Sequence, residues 1–230
     1  MNTIERKYGC KVIPIVHPIV QKKKSWFKMA FSSGDDKEDS VCMKTLSRVL
    51  DIMRDIEPEK PIFLFLHTLG GEAAVTKTIM DIFKRHKGKV TAFIPQFAYS
   101  AGSQIALAAD EIVMEENATL GPFDVQLFGV VPAFDILEMI KGREGKDISE
   151  LWEVLGHKSR KNVDADEELI RRALGDRYEK KVVDQVISHM LGEKFDHSHT
   201  FSPYELREMG LEITVRKMED DLYKWFARLK

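Results

Sequence analysis

The sequence predicts an α/β fold with a mainly parallel sheet and a helical C-terminal part, and three observations predict it. Pro61-Ile62-Phe63-Leu64-Phe65-Leu66 is an unbroken apolar run, which suits a strand buried on both faces. It stops at His67-Thr68-Leu69-Gly70-Gly71, after which Ala73 to Arg85 carries Ala74, Ile79, Ile82 and Phe83 at helical spacing before a second apolar strand, Lys89 to Pro95. The unit then repeats, with a turn at Gln96 to Tyr99, a helix of small residues from Ser100 to Ala109 and a strand from Glu111 to Met114. Strand, turn, helix and strand in succession fold as a right-handed parallel crossover.

The flanking elements follow from the same patterns. Val12 to Val16, with Ile19 and Val20, reads as a first strand. It ends in Lys22-Lys23-Lys24-Ser25-Trp26-Phe27-Lys28, a mixture of cations and aromatics that suits contact with anionic lipid or nucleic acid but more simply a solvated loop, which is the expectation. Ser33 to Ser40 is a polar turn. A helix is expected from about Asp39 to Ile56, with Val41, Leu46, Val49, Leu50 and Met53 on its apolar face. Beyond Phe134 the pattern is mainly helical, near Phe134 to Ile140, Ile148 to Leu155 and Asp166 to Leu191. Pro203 to Met209 is a further helix, Leu211 to Val215 a strand, and the charged C-terminus a last helix.

The chain has 230 residues, 43% of them hydrophobic and 31% charged, enough to build one large α/β domain with a full core. Its 35 basic and 37 acidic residues give a net charge of -2, so no global field attracts nucleic acid. Cys10 and Cys42 form neither a disulfide framework nor a metal-ligand spacing. Lys7 and Lys11 interrupt the early apolar segment, so no secretory signal is read there, and no run reaches the about 18 apolar residues that span a membrane. The expected setting is reducing and cytoplasmic.

Two turns carry the chemistry, because each follows a buried strand and opens a helix, where ligands gather in parallel sheets. Gly70 and Gly71 free their backbone N–H groups to point at an incoming oxygen, as an oxyanion hole requires. Ser100 starts a helix, and the amide of Ala101 is the natural second donor. Taken singly, a Gly-Gly pair is a tight turn and a serine opening a helix is an N-cap. A serine hydroxyl also needs a base within hydrogen-bond reach, and a lysine serves only when burial lowers its pKa. His189, His197 and His199 lack partners at metal-ligand spacing and read as surface residues, while Asp110 and Asp124 read as structural caps.

Taken together, His67-Thr68-Leu69-Gly70-Gly71, Pro95-Gln96-Phe97-Ala98-Tyr99-Ser100-Ala101-Gly102, Ile105 to Met114 and Leu120-Gly121-Pro122-Phe123-Asp124-Val125-Gln126 resemble the serine dehydrogenase proteinase family. That family sits with the signal-peptide peptidases and, more distantly, with Clp protease and the crotonases. The resemblance is dense from about Pro61 to Leu127 and looser to about Val215. It implies a Clp-protease/crotonase-like fold of repeated β-β-α units in a single domain over residues 1–230. It also implies a serine endopeptidase with Ser100 as nucleophile, Gly70-Gly71 as oxyanion loop and Gly121-Pro122 as a wall of the cleft. Clp protease has a catalytic histidine shortly after its serine, and the corresponding stretch near Asp124 has none. The signal-peptide peptidases use a lysine further on, and within Gly156-His157-Lys158-Ser159-Arg160-Lys161 the residue after Gly-His, Lys158, looks most like it. Lys161 is the second choice and His157 remains open. The chain departs from the family at Leu69, Ala101 and Val125, none of which removes a reacting group. The resemblance further implies a homo-oligomer acting on peptide or unfolded protein without cofactor or metal. Two alternatives stand beside it: a crotonase-like enzyme acting on acyl-thioesters, and an inactive scaffold of the same fold.

Overall fold

The computed structural model describes residues 3–18, 39–124, 126–127, 131–142, 149–191 and 199–229. In chain order the elements are α1 (Thr3–Tyr8), β1 (Lys11–Val16), α2 (Met43–Arg54), β2 (Ile62–His67), α3 (Ala73–Arg85), β3 (Val90–Ile94), β4 (Phe97–Ala98), α4 (Ala101–Leu107), β5 (Glu111–Met114) and β6 (Thr119–Leu120). There follow β7 (Gln126–Leu127), β8 (Val131–Pro132), α5 (Ala133–Lys141), α6 (Glu150–Leu174), α7 (Lys180–Met190), α8 (Pro203–Glu208), β9 (Ile213–Val215) and α9 (Asp220–Ala227).

Five strands form one parallel sheet in the order β1-β2-β3-β5-β9. The expected apolar runs are its central strands, because helices cover both faces and leave no side for polar residues. On one face, Leu64, Leu66, Ala92 and Ile94 meet Val75, Ile79 and Phe83 of α3 and Ile105 of α4 in the main core. On the other, Phe65 and Phe93 stack at 5.2 Å under Leu222 and Phe226 of α9, with Ile4 of α1 in the same cluster. First and last helices thus share one face, and Lys7 meets Asp221 at 2.6 Å.

Three elements depart from expectation. The helix expected from Asp39 begins only at Met43, because Val41 instead makes an isolated parallel bridge to Gly71 and is fully buried there. Leu50, expected on the apolar face of that helix, is 48% exposed. The segments expected near Ile148 to Leu155 and from Asp166 are parts of one 25-residue helix, α6. Gly156 does not break it; a Cβ there would lie 2.5 Å from Ile140 Cδ1, so the glycine lets α5 and α6 approach. The expected continuation to Leu191 is interrupted after Leu174, and α7 starts afresh at Lys180. Ile19, Val20, the Lys22–Lys28 segment, Ser33 to residue 38, Val125, Ile148 and His197, for which expectations were stated above, lie outside the described residues.

Candidate active site

The two glycine- and serine-bearing turns meet at the carboxyl ends of β2 and β3. Tyr99 N–H donates to Thr68 O at 2.9 Å, and Thr68 bridges Ala98 in parallel. Gly70 has φ 120°, and a Cβ on it would stand 2.7 Å from Ser100 Cβ and 3.1 Å from Ser100 Oγ. Only glycine tolerates both the dihedral and the proximity.

Ser100 is the one non-glycine residue with positive φ among the described residues, at φ 49° and ψ -117°. Such a conformation costs on the order of 1–3 kcal/mol and persists only where its surroundings over-determine it. Here they do. Ser100 N–H donates to Pro122 O at 3.2 Å, Gly102 N–H to Tyr99 O at 2.8 Å and Gln104 N–H to Ser100 O at 3.1 Å. Buried Ser103 Oγ lies 2.8 Å from Ala98 O and 2.7 Å from Gly121 O and accepts Gly121 N–H at 3.1 Å, locking the two loops together. The Ser100 side chain makes no capping hydrogen bond, which separates it from the ordinary N-cap serine that its position suggests.

Behind the glycine turn stands a buried polar chain. Gly70 N–H donates to Thr68 Oγ1 at 3.1 Å, and Gly71 carries the other amide of the pair. Thr68 Oγ1 lies 2.9 Å from His17 Nδ1, and His17 Nε2 lies 3.4 Å from Thr45 Oγ1. Burial chiefly, with Arg48 adding to it and Asp39 opposing, lowers the His17 pKa from 6.5 to about 4. The ring is therefore neutral at pH 7.

Helix α6 runs alongside α4 in the same direction. Asp166 hydrogen-bonds Gln104, and its carboxyl is raised by burial from 3.8 to about 6. Further on, Arg177 Nη2 donates to Leu107 O at 2.6 Å. Lys161 and Lys158 lie five and eight residues before Asp166 on α6. The side chains of Lys158, Lys161 and His157 are all exposed in the single chain. His157 lines a groove of about 910 Å³ with Phe134, Leu137 and Gly156.

The opposite wall brings in a residue that the sequence reading set aside. β4 pairs in parallel with β6, with Ala98 opposite Leu120. Leu120 in turn exchanges two hydrogen bonds with Phe201, of 3.0 and 2.7 Å, in an antiparallel bridge. Pro122, which accepts the Ser100 N–H, lies two residues after Leu120, and His199 lies two residues before Phe201. His199 Nε2 lies 3.7 Å from Glu205 Oε1, and its ring meets Phe201 edge-on at 4.6 Å. Glu205 Oε2 is fixed by Ser202 Oγ at 2.6 Å and Ser202 N–H at 2.8 Å, and these bonds, with His199, hold its carboxyl below the usual range. Asp110 accepts Val90 N–H at 2.8 Å, in keeping with a structural role, and buried Asp124 accepts from Gln126.

A strained, uncapped serine over a glycine turn at the carboxyl ends of parallel strands is an arrangement of α/β serine hydrolases. Residues 1–227 match the ClpP-like SDH-type serine proteinases, and the chain belongs to that family. It is 33% identical over 215 residues to the uncharacterized protein MJ1495 of Methanocaldococcus jannaschii, covering 94% of this chain and 70% of that one. MJ0137 of the same organism is 28% identical over 189 residues, covering 80% and 66%. Among solved structures, ClpP1 from Listeria monocytogenes superposes with a TM-score of 0.53 at 18% identity, covering 93% of this chain and 96% of that one. The fold expectation, a Clp-like parallel α/β architecture, is thereby met.

Proposed function

We propose that the chain is an endopeptidase that cleaves peptide bonds by acyl transfer through Ser100. The observation that carries this reading is the positive φ of Ser100, a strain that leaves its hydroxyl uncapped over Gly70 instead of in a helix cap. In this reading Ser100 Oγ attacks the scissile carbonyl, and the amides of Gly71 and Ala101 hold the oxyanion, Ala101 because the first N–H of a helix has no intrahelical acceptor. Water then releases the acyl group. No metal or cofactor enters the scheme.

Lys158 is the base that the family resemblance carries over, with Lys161 as the second choice. An exposed lysine is charged in water and cannot accept a proton, so this Ser-Lys form requires that something cover the lysine. A second copy of the chain is the natural cover. Helix α6 exposes Leu151 at 64% and Val154 at 62% in the turns just before Lys158, and such apolar exposure favours a homo-oligomer. Substrates would be peptides or unfolded proteins entering beside exposed Leu69.

The test is labelling with a fluorophosphonate probe and mapping the modified residue by mass spectrometry. Wild type is expected to label at Ser100, and Ser100→Ala to lose the label entirely. Absence of labelling from neutral to alkaline pH would turn the reading toward the scaffold, and binding of an acyl-thioester toward the crotonase-like enzyme.

A further inference from the structure

We propose that His17 and Thr68 are positioning residues of the oxyanion turn: His17 fixes the direction of the Thr68 hydroxyl, and that hydroxyl steadies the Gly70–Gly71 peptide whose N–H meets the reacting carbonyl. This rests on the reading of Ser100 as nucleophile and Gly71 as oxyanion donor. The Gly70 C=O and the Gly71 N–H belong to one peptide plane and point in opposite directions, so whatever holds the one aims the other. Val41 N–H donates to Gly70 O at 2.8 Å, and Glu72 N–H donates to Val41 O at 2.8 Å. This parallel bridge is made by the groups on either side of Gly71, which turns the Gly71 N–H itself away from Val41. Thr68 holds Gly70 from within: its Oγ1 accepts Gly70 N–H at 3.1 Å and lies 3.4 Å from Gly70 O. Thr68 also reaches the serine turn. Its backbone oxygen accepts Tyr99 N–H at 2.9 Å, and its Cγ2 lies 2.6 Å from where a Cβ on Gly102 would stand. One buried residue thus touches both turns.

The Thr68 hydroxyl has one proton to give and two acceptors beside it. Gly70 O is the farther, at 3.4 Å, and already holds Val41 N–H; His17 Nδ1 is the nearer, at 2.9 Å. The proton goes to Nδ1, and in a neutral ring Nε2 then carries the ring proton. Nε2 faces Thr45 Oγ1 at 3.4 Å, which accepts Cys42 N–H at 3.3 Å and donates to Ser40 O at 3.4 Å. The donors run in one direction, from Gly70 N–H through Thr68, His17 and Thr45 to Ser40. A satisfied polar chain inside a fold rigidifies what it joins. Here it joins the oxyanion turn to β1 and the start of α2. Burial, which keeps the ring neutral at pH 7, keeps Nδ1 an acceptor.

The test follows the maximal rate and the final extent of fluorophosphonate labelling separately, in wild type, Thr68→Val, Thr68→Ser, His17→Phe, His17→Asn and the double variant of Thr68→Val with His17→Phe. The phosphonyl oxygen of the probe takes the place of the oxyanion, so a misaimed amide lowers the maximal rate, whereas loss of folded molecules lowers the extent. A misplacement of about 1 Å can cost about 100-fold, so Thr68→Val and His17→Phe are expected to label about 10- to 100-fold more slowly and to the full extent. Thr68→Ser keeps the hydroxyl and His17→Asn keeps an acceptor close to the position of Nδ1, and both should label near the wild-type rate. The two pairs are independent, so one variant that fails to fold leaves the other pair decisive. The double variant should be no slower than Thr68→Val alone, because His17 acts through Thr68. Nitrogen-15 NMR of the wild-type ring should show a bare Nδ1 and a protonated Nε2. Equal rates within each pair, a loss confined to the extent, or a proton on Nδ1 at pH 7 overturns the positioning role while leaving the Ser100 reading intact. A wild type that does not label at all overturns both.

Discussion

His17 sits behind the glycine turn, buried between two threonine hydroxyls, Thr68 Oγ1 at 2.9 Å and Thr45 Oγ1 at 3.4 Å. In the folded chain its pKa is about 4 against an ordinary 6.5, so the unfolded chain takes up a proton more readily as the pH falls. The stability that this group contributes is fully present above pH 6.5 and is lost as the pH falls from 6.5 toward 4. Asp166 works in the opposite direction. Its folded carboxyl titrates at about 6 against 3.8, so the folded chain binds the proton first and gains stability across an overlapping window. The wild-type melting curve mixes the two, and the difference between wild type and His17→Asn isolates one. We expect the wild type to lose stability relative to His17→Asn between pH 6.5 and pH 4 in thermal melts; a difference independent of pH would refute the account. At this scale the sequence was legible where the chemistry is local. Ser100 and Gly70 declared themselves by turn composition, whereas His17 became visible only once segments distant in sequence were brought together.

Helices α5 and α6 owe their close approach to one residue. Gly156 lies just beyond the segment expected to end near Leu155, yet it sits in continuous helix, and Ile140 occupies the space of its absent side chain. Replacing it with leucine should force the two helices apart and cost about 1–3 kcal/mol, seen as a lower melting temperature. An unchanged or raised melting temperature would mean that the close approach contributes nothing. The two-residue strands β4 and β6 were illegible for a different reason. They are too short to show any period, and their existence depends on partners far along the chain. The long apolar strands β2 and β3 suffered neither difficulty, since burial on both faces writes itself into every residue.

For the whole molecule, the parallel sheet and its helical cover were foreseeable and the resemblance implied a homo-oligomer, but the surface that would join copies was not legible, because exposure of Leu151 and Val154 is a property of the folded surface. If these residues hold copies together, Leu151→Lys with Val154→Lys should shift sedimentation toward a smaller species with the melting curve little altered. Identical sedimentation would exclude this face as the contact. The order of the sheet has a last implication, for the time course of synthesis. Phe201 hydrogen-bonds to both the N–H and the C=O of Leu120, and Leu120 is the neighbour of the strand that leads into Ser100. A ribosome that has delivered the serine has therefore yet to deliver Phe201. Until it emerges about a hundred residues later, the growing chain carries Ser100 in a turn that lacks this outer hydrogen-bonding neighbour.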